Sequence, residues 1–121
     1  MGEAPHKKLE AWKSAMLLVE IVYKATTSFP NEEKFGLVSQ MRRAAISVPS
    51  NIAEGAADRS SSQFVNFLSI AIGSLAELDT QLELSKNLGF INSTDFQEVY
   101  ILLDKTKSLV YGLRKSIKIK G

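Results

Sequence analysis

The sequence predicts an all-α protein, an antiparallel up-down-up-down four-helix bundle with a Pro-kinked second helix. Three observations predict it. Four long segments repeat their apolar residues at steps of three and four, the spacing that keeps side chains on one helix face. Only 3 prolines and 7 glycines occur in 121 residues, too little punctuation for many short strands. The connections between segments are about four to six residues long, which makes consecutive helices antiparallel neighbours. A flexible N-terminal tail over residues 1–7 and one bundle domain over residues 8–119 follow from this reading.

The first segment runs from about Lys8 to Thr27 on the stripe Leu9, Trp12, Met16, Val19 and Tyr23. Pro30 ends it, and Asn31 with Glu32 and Glu33 supplies a cap and an acidic first turn for the next. The second segment runs to about Ala56 on Val38, Met41, Ala45, Val48 and Ile52, with Pro49 inside. Proline deprives the Ala45 carbonyl of its helical partner. Too little chain follows for a separate helix, so a kinked continuation is expected. Ser60 and Gln63 form a capping box. The third segment then runs from about Ser61 to Leu88 on Phe64, Phe67, Ala71, Leu75, Leu78, Leu82 and Ser85, and Gly89 stops it. Thr94 and Gln97 read as a second box. The fourth segment reaches about Lys118 on Phe96, Val99, Leu103, Val110, Leu113 and Ile117.

Composition narrows function by exclusion. Cysteine is absent, which removes disulfides and thiolate metal sites and fits a reducing cytoplasm. His6 is the one histidine. It stands three residues after Glu3, as in a carboxylate-histidine metal pair, but no second copy exists. No catalytic residue, metal or cofactor is expected, and Gly-rich phosphate loops are missing. The longest apolar run, Met16 to Tyr23, is too short to span a bilayer, so no membrane role is expected.

Charge is distributed unevenly. Lys and Arg total 15 against 13 Asp and Glu, a net charge of only +2. The cations cluster late, as Lys105, Lys107, Arg114, Lys115, Lys118 and Lys120, with no acid after Asp104. They suit a helix C-terminus, and they also form a candidate RNA or DNA contact, with Arg42, Arg43 and Arg59 as further candidates. Only Tyr111 accompanies the late cluster, so base stacking there is expected to be slight. Acids cluster at Glu77, Asp79 and Glu83. Arg43, Ser47, Asn51 and Glu54 form a polar stripe, read either as a solvated face with a local ion pair or as a ligand or subunit contact. Ser69, Gly73 and Ala76 form a small-residue face, read either as ordinary core or as a close approach.

Apolar width points to self-association. Seven of the eight residues from Met16 to Tyr23 are apolar, and Phe64 to Ile72 is similar. A helix in a small bundle needs one stripe, so a homo-oligomer is expected.

Several blocks resemble the four-helix bundle proteins called 23S ribosomal RNA intervening sequence proteins. They are Leu9-Glu10-Ala11-Trp12, Phe29-Pro30, Gly36 to Ala45, Ser47-Val48-Pro49-Ser50-Asn51-Ile52-Ala53-Glu54-Gly55, and Phe67 to Leu78. Val48 stands where isoleucine is more usual. The resemblance implies a bacterial, antiparallel bundle assembled as a homopentamer, with no established catalytic activity. Related accessory proteins of diversity-generating retroelements are basic pentamers associated with nucleic acid. The reading is therefore a non-enzymatic oligomeric accessory protein that binds RNA or DNA through basic surfaces. Its alternative is a protein-protein interaction scaffold that binds no nucleic acid.

Overall fold

Helical periodicity in the sequence becomes four α-helices in the computed structural model, which describes residues 4–58 and 60–118. They are α1 (Glu10–Thr26), α2 (Leu37–Ala57), α3 (Ser61–Asn87) and α4 (Ser93–Ser116). Short 3-10 turns at Pro5–Lys8 and Asn31–Glu33 precede the first two. The turn at Pro5–Lys8, mostly within the expected tail, lies against α1 and α2. Glu3, Arg59 and Lys120 fall outside the described residues.

Each helix packs on two neighbours, in the ring α1–α2–α3–α4–α1. Contacts run in opposite order along each pair. Gly55 meets Phe64 and Phe67, Ser47 meets Ser74, and Met41 meets Ser85. Ser14 meets Thr106, while Phe29 at the far end of α1 meets Phe90 just before α4.

The core takes the expected stripe of α2, with Val38, Met41, Ala45, Val48 and Ile52 all buried. On α3 it takes Ala71, Leu75, Leu78, Leu82 and Ser85 together with Leu68, while Phe64 and Phe67 are half-buried at its edge. Burying a Leu or Ile side chain contributes about 1.5–3 kcal/mol, so these residues hold the ring together.

Helix α1 departs from expectation. Its buried face is Ala11, Ala15, Leu18, Val22 and Ala25, one residue before each member of the expected stripe from Trp12 onward. Met16 and Tyr23 are exposed instead. With seven apolar residues in eight, periodicity could not choose the phase. Size chose it, because Ala11, Ser14 and Ala15 let a neighbouring backbone approach where Trp12 and Met16 could not. The Ser14 and Thr106 hydroxyls then pair at 2.7 Å in the interior. Thr106 joins Phe96, Val99, Leu103 and Val110 as the buried face of α4, while Leu113 and Ile117 are only partly covered.

Helix ends show which local signals prevail. The cap expected at Asn31 starts only a 3-10 turn, and the first connection, residues 27–36, is longer than expected. α2 begins at Gly36, which has no side chain to cap with, so Glu33 Oε1 accepts the Leu37 N–H at 3.3 Å. α2 then continues through Pro49 to Ala57 without a break. Ser50 Oγ donates to the Ile46 carbonyl and Asn51 Nδ2 to that of Ser47, both at 2.8 Å, so side chains serve the carbonyls beside the one that proline leaves unpaired.

Half of the first capping box forms. Ser60 Oγ accepts the Gln63 N–H, but the Ser60 N–H donates to Asp58 Oδ1 rather than to Gln63. The second box is corrected to a single side-chain cap by Asn92. Asn92 Oδ1 accepts the Asp95 N–H at 2.8 Å, so the cap lies two residues before Thr94. Gly89 ends α3 as expected, at φ 75°, where only glycine sits without strain. The N–H groups of Gly89 and Phe90 reach back to the carbonyls of Lys86 and Ser85, the Schellman pattern. Among the described residues, no helix is long and apolar enough to cross a membrane.

Candidate nucleic-acid interface

The late cations differ in setting. At about 100° per residue, Lys107 and Arg114 share one face of α4, while Lys105 lies about 160° around the helix from Lys107. Lys105 and Lys115 are exposed, Lys107 is half-buried, and Lys118 lies past the last residue of α4. Arg114 is half-buried: its Nη1 donates to Ser69 Oγ of α3 at 3.2 Å, and its guanidinium lies 5.1 Å from the Tyr111 ring centre.

Cations also gather where α1 ends and α2 begins. Arg42 and Arg43 line an open groove of about 450 Å³ with Tyr23 of α1 and with Lys34 and Phe35 of the first connection. Val38, Ser39 and Ile46 also line it. Arg42 is half-buried and held on two nitrogens: Nε donates to Thr26 Oγ1 at 3.0 Å and Nη2 to the Tyr23 carbonyl at 3.2 Å. Its guanidinium lies 4.4 Å from the Tyr23 ring centre, within cation-π range. Arg43 is exposed, Lys34 lies 5.6 Å from the Phe35 ring centre, and Phe35 itself is 89% exposed. The acid nearest in sequence, Glu33, has its carboxylate turned to the start of α2. Among the described residues the one ion pair is Lys13 with Glu10, on α1.

Sequence reasoning named Arg42 and Arg43 as further candidates and missed Tyr23, Lys34 and Phe35. One signal was available: Lys34-Phe35-Gly36 places a cation and a large aromatic beside a glycine, off every apolar stripe.

The other constellations resolve differently. Ser47 and Asn51 of the polar stripe bond each other, and Ser47 also accepts from Ser74 Oγ at 2.8 Å, so this part is internal structure. The expected local ion pair does not form, since Arg43 and Glu54 are not joined. The small-residue face points outward: a Cβ at Gly73 would meet nothing within 4 Å, and Ser69 and Ala76 are exposed. Asp79 and Glu83 line a depression with Tyr100 on the α3–α4 side. Among the described residues, no group of three or more metal-capable side chains gathers.

Three comparisons bear on this arrangement. A family model described as 23S rRNA-intervening sequence protein matches residues 7–112. A crystal structure from Bacteroides thetaiotaomicron, of a protein of unknown function from the S23 ribosomal protein family, superposes with a TM-score of 0.81. It covers 88% of this chain and 96% of its own, at 21% identity, and so bears on the fold alone. No curated protein matches the sequence.

Proposed function

The chain belongs to the 23S rRNA-intervening sequence protein family, and from that membership and the groove geometry we propose that it is a non-enzymatic, oligomeric accessory protein that binds RNA or DNA. The observation that carries this reading is the meeting of Lys34, Arg42 and Arg43 at one open groove. Three cations lining one groove suit a polyanion, because each phosphate contact releases counterions. The family description, which ties its members to 23S rRNA intervening sequences, supports RNA as the first polymer to try.

Assembly is part of the proposal. Leu17 of α1, Ile70 of α3 and Ile101 of α4 are 54%, 52% and 65% exposed, an excess that association would cover. A homopentamer would weigh five times the 13.3 kDa of one chain. Light scattering coupled to size exclusion at micromolar concentration tests it. A mass near one chain refutes association, and a stable dimer refutes the pentamer alone.

Fluorescence anisotropy with RNA and DNA oligomers across a salt series tests binding. The double variant Lys34→Glu/Arg43→Glu should lose most of the affinity while staying folded. The variant with Lys107, Arg114, Lys115 and Lys118 all changed to Glu should lose less. If the parent protein binds neither polymer at low salt, the nucleic-acid reading fails. The scaffold is then the better account, favoured by a second, apolar groove of about 360 Å³ lined by Trp12, Met16, Val19, Ile46, Pro49 and Ala53.

A further inference from the structure

We infer that the cationic groove takes a single-stranded segment, with one unpaired base stacked on Phe35. This rests on the nucleic-acid reading above and names the class of polymer. Phe35 sits in the connection between the 3-10 turn and α2 with 89% of its surface exposed, so it serves no core. Lys34, Arg42 and Arg43 share its groove. Cations alone would serve a duplex, which presents phosphates and hides the faces of its bases. An exposed ring beside those cations serves a strand whose bases are free, because every base has a π-face to stack.

The surroundings keep the parts in place. Arg42 is tied to Thr26 and to the Tyr23 carbonyl, which fixes its guanidinium over the Tyr23 ring. A phosphate bound there would not have to order a free side chain. Gly36, directly after Phe35, brings the chain into α2 within one residue, and Phe35 lines the groove with the cations. The shared chemistry is a phosphodiester strand with an unstacked base, from RNA or from DNA.

The test uses the full chain, labelled oligomers of about 12 nucleotides as single-stranded RNA, single-stranded DNA and duplex, and the variants Phe35→Ala, Phe35→Leu and Phe35→Trp. The ring is exposed, and circular dichroism checks that each variant folds. The parent should prefer single strands to duplex by about tenfold or more. Phe35→Ala and Phe35→Leu should each weaken single-strand binding roughly 5- to 160-fold, the range for one lost base stack. Phe35→Trp should keep it, and duplex binding should move less than about twofold. A 2-aminopurine base in the strand should be quenched by the parent and not by Phe35→Leu, since a leucine preserves apolar contact without a π-face. Three phosphates neutralised at a slope of about −0.7 each give a log-log salt slope near −2. The RNA and DNA arms show whether the 2′-hydroxyl matters.

If Phe35→Leu binds single strands as tightly as the parent, or the parent prefers duplex, the inference falls while nucleic-acid binding stands. If no oligomer binds at low salt, both fall together. Phe35-dependent binding to anionic phospholipid vesicles in the absence of oligomer binding would assign the groove to a membrane surface and overturn it.

Discussion

Against α3, helix α2 makes a closed seam. A Cβ placed on Gly55 would lie 2.8 Å from a Phe64 ring carbon and 2.9 Å from Phe67 Cβ, and the Ser47 and Ser74 hydroxyls meet at 2.8 Å. Against α1 the same helix leaves two open grooves, one apolar around Trp12 and Pro49 and one cationic around Arg42 and Arg43. The closed seam places a glycine and two serines where the helices touch. The open side keeps large side chains that the bundle does not finish burying. The closed seam and the open grooves thus draw on different residues of one helix, and substitutions in the two sets should have separable effects.

The sharpest way to break this comparison uses two isoleucines six positions apart. Ile52 is fully buried and Ile46, on the open side, is 41% exposed. Ile52→Ala should cost about 2–5 kcal/mol, lost contacts plus the cavity left behind. Ile46→Ala should stay within about 0.5 kcal/mol, as exposed positions do. Urea denaturation followed by circular dichroism measures both. If Ile46→Ala proves as costly as Ile52→Ala, the open side is covered in solution. A dependence of that cost on protein concentration would then identify a second copy as the cover.

The next test exchanges one substitution between two glycines. Gly55→Ala should destabilise by about 1–3 kcal/mol, because Phe64 and Phe67 must move to admit a methyl group. That reverses the gain of about 1 kcal/mol that alanine ordinarily brings to a helix interior. Gly73→Ala, where a Cβ meets nothing within 4 Å, should show that gain in the thermal midpoint. A loss at Gly73 instead would show a neighbouring backbone against this face in the assembled protein.

The same contrast explains what could be read in advance. The buried face of α2 was legible because polar residues separate its apolar stripe, leaving one phase consistent with burial. The face of α1 was not, because most of its circumference is apolar between Met16 and Tyr23. There the choice fell to Ala11, Ser14 and Ala15, whose small size matters only once a neighbour is present. Asn92 won the start of α4 over Thr94, although both are capping residues, since local pattern alone does not rank two caps two residues apart. The cationic groove was the least legible part. Tyr23, Lys34 with Phe35, and Arg42 with Arg43 come from three separate stretches, and only the turn between α1 and α2 brings them together. The late lysines drew attention by their density along the chain, which says nothing of the side of α4 each one takes: Lys105 and Lys107 lie about 160° apart.

The smallest expected effect separates two serines. Ser74 is buried and its hydroxyl donates to Ser47 Oγ across the closed seam. Ser50 is exposed at the apolar groove, and its hydroxyl donates to the Ile46 carbonyl of its own helix at 2.8 Å. Ser74→Ala removes a bond between helices and should cost about 0.5–1.5 kcal/mol. The cost should not reach the larger penalty of an orphaned buried group, because Ser47 Oγ still accepts from Asn51 Nδ2 at 2.9 Å. Ser50→Ala trades a bond to an exposed carbonyl, which water can replace, for a better helix former, and should stay within about 0.5 kcal/mol in either direction. Adding Ser47→Ala to each completes a double-mutant cycle. Coupling of Ser47 to Ser74, and none to Ser50, is the expected result. Equal coupling to both would mean that the two sides of α2 respond as one unit, and the division between a closed face and an open one would have to be abandoned.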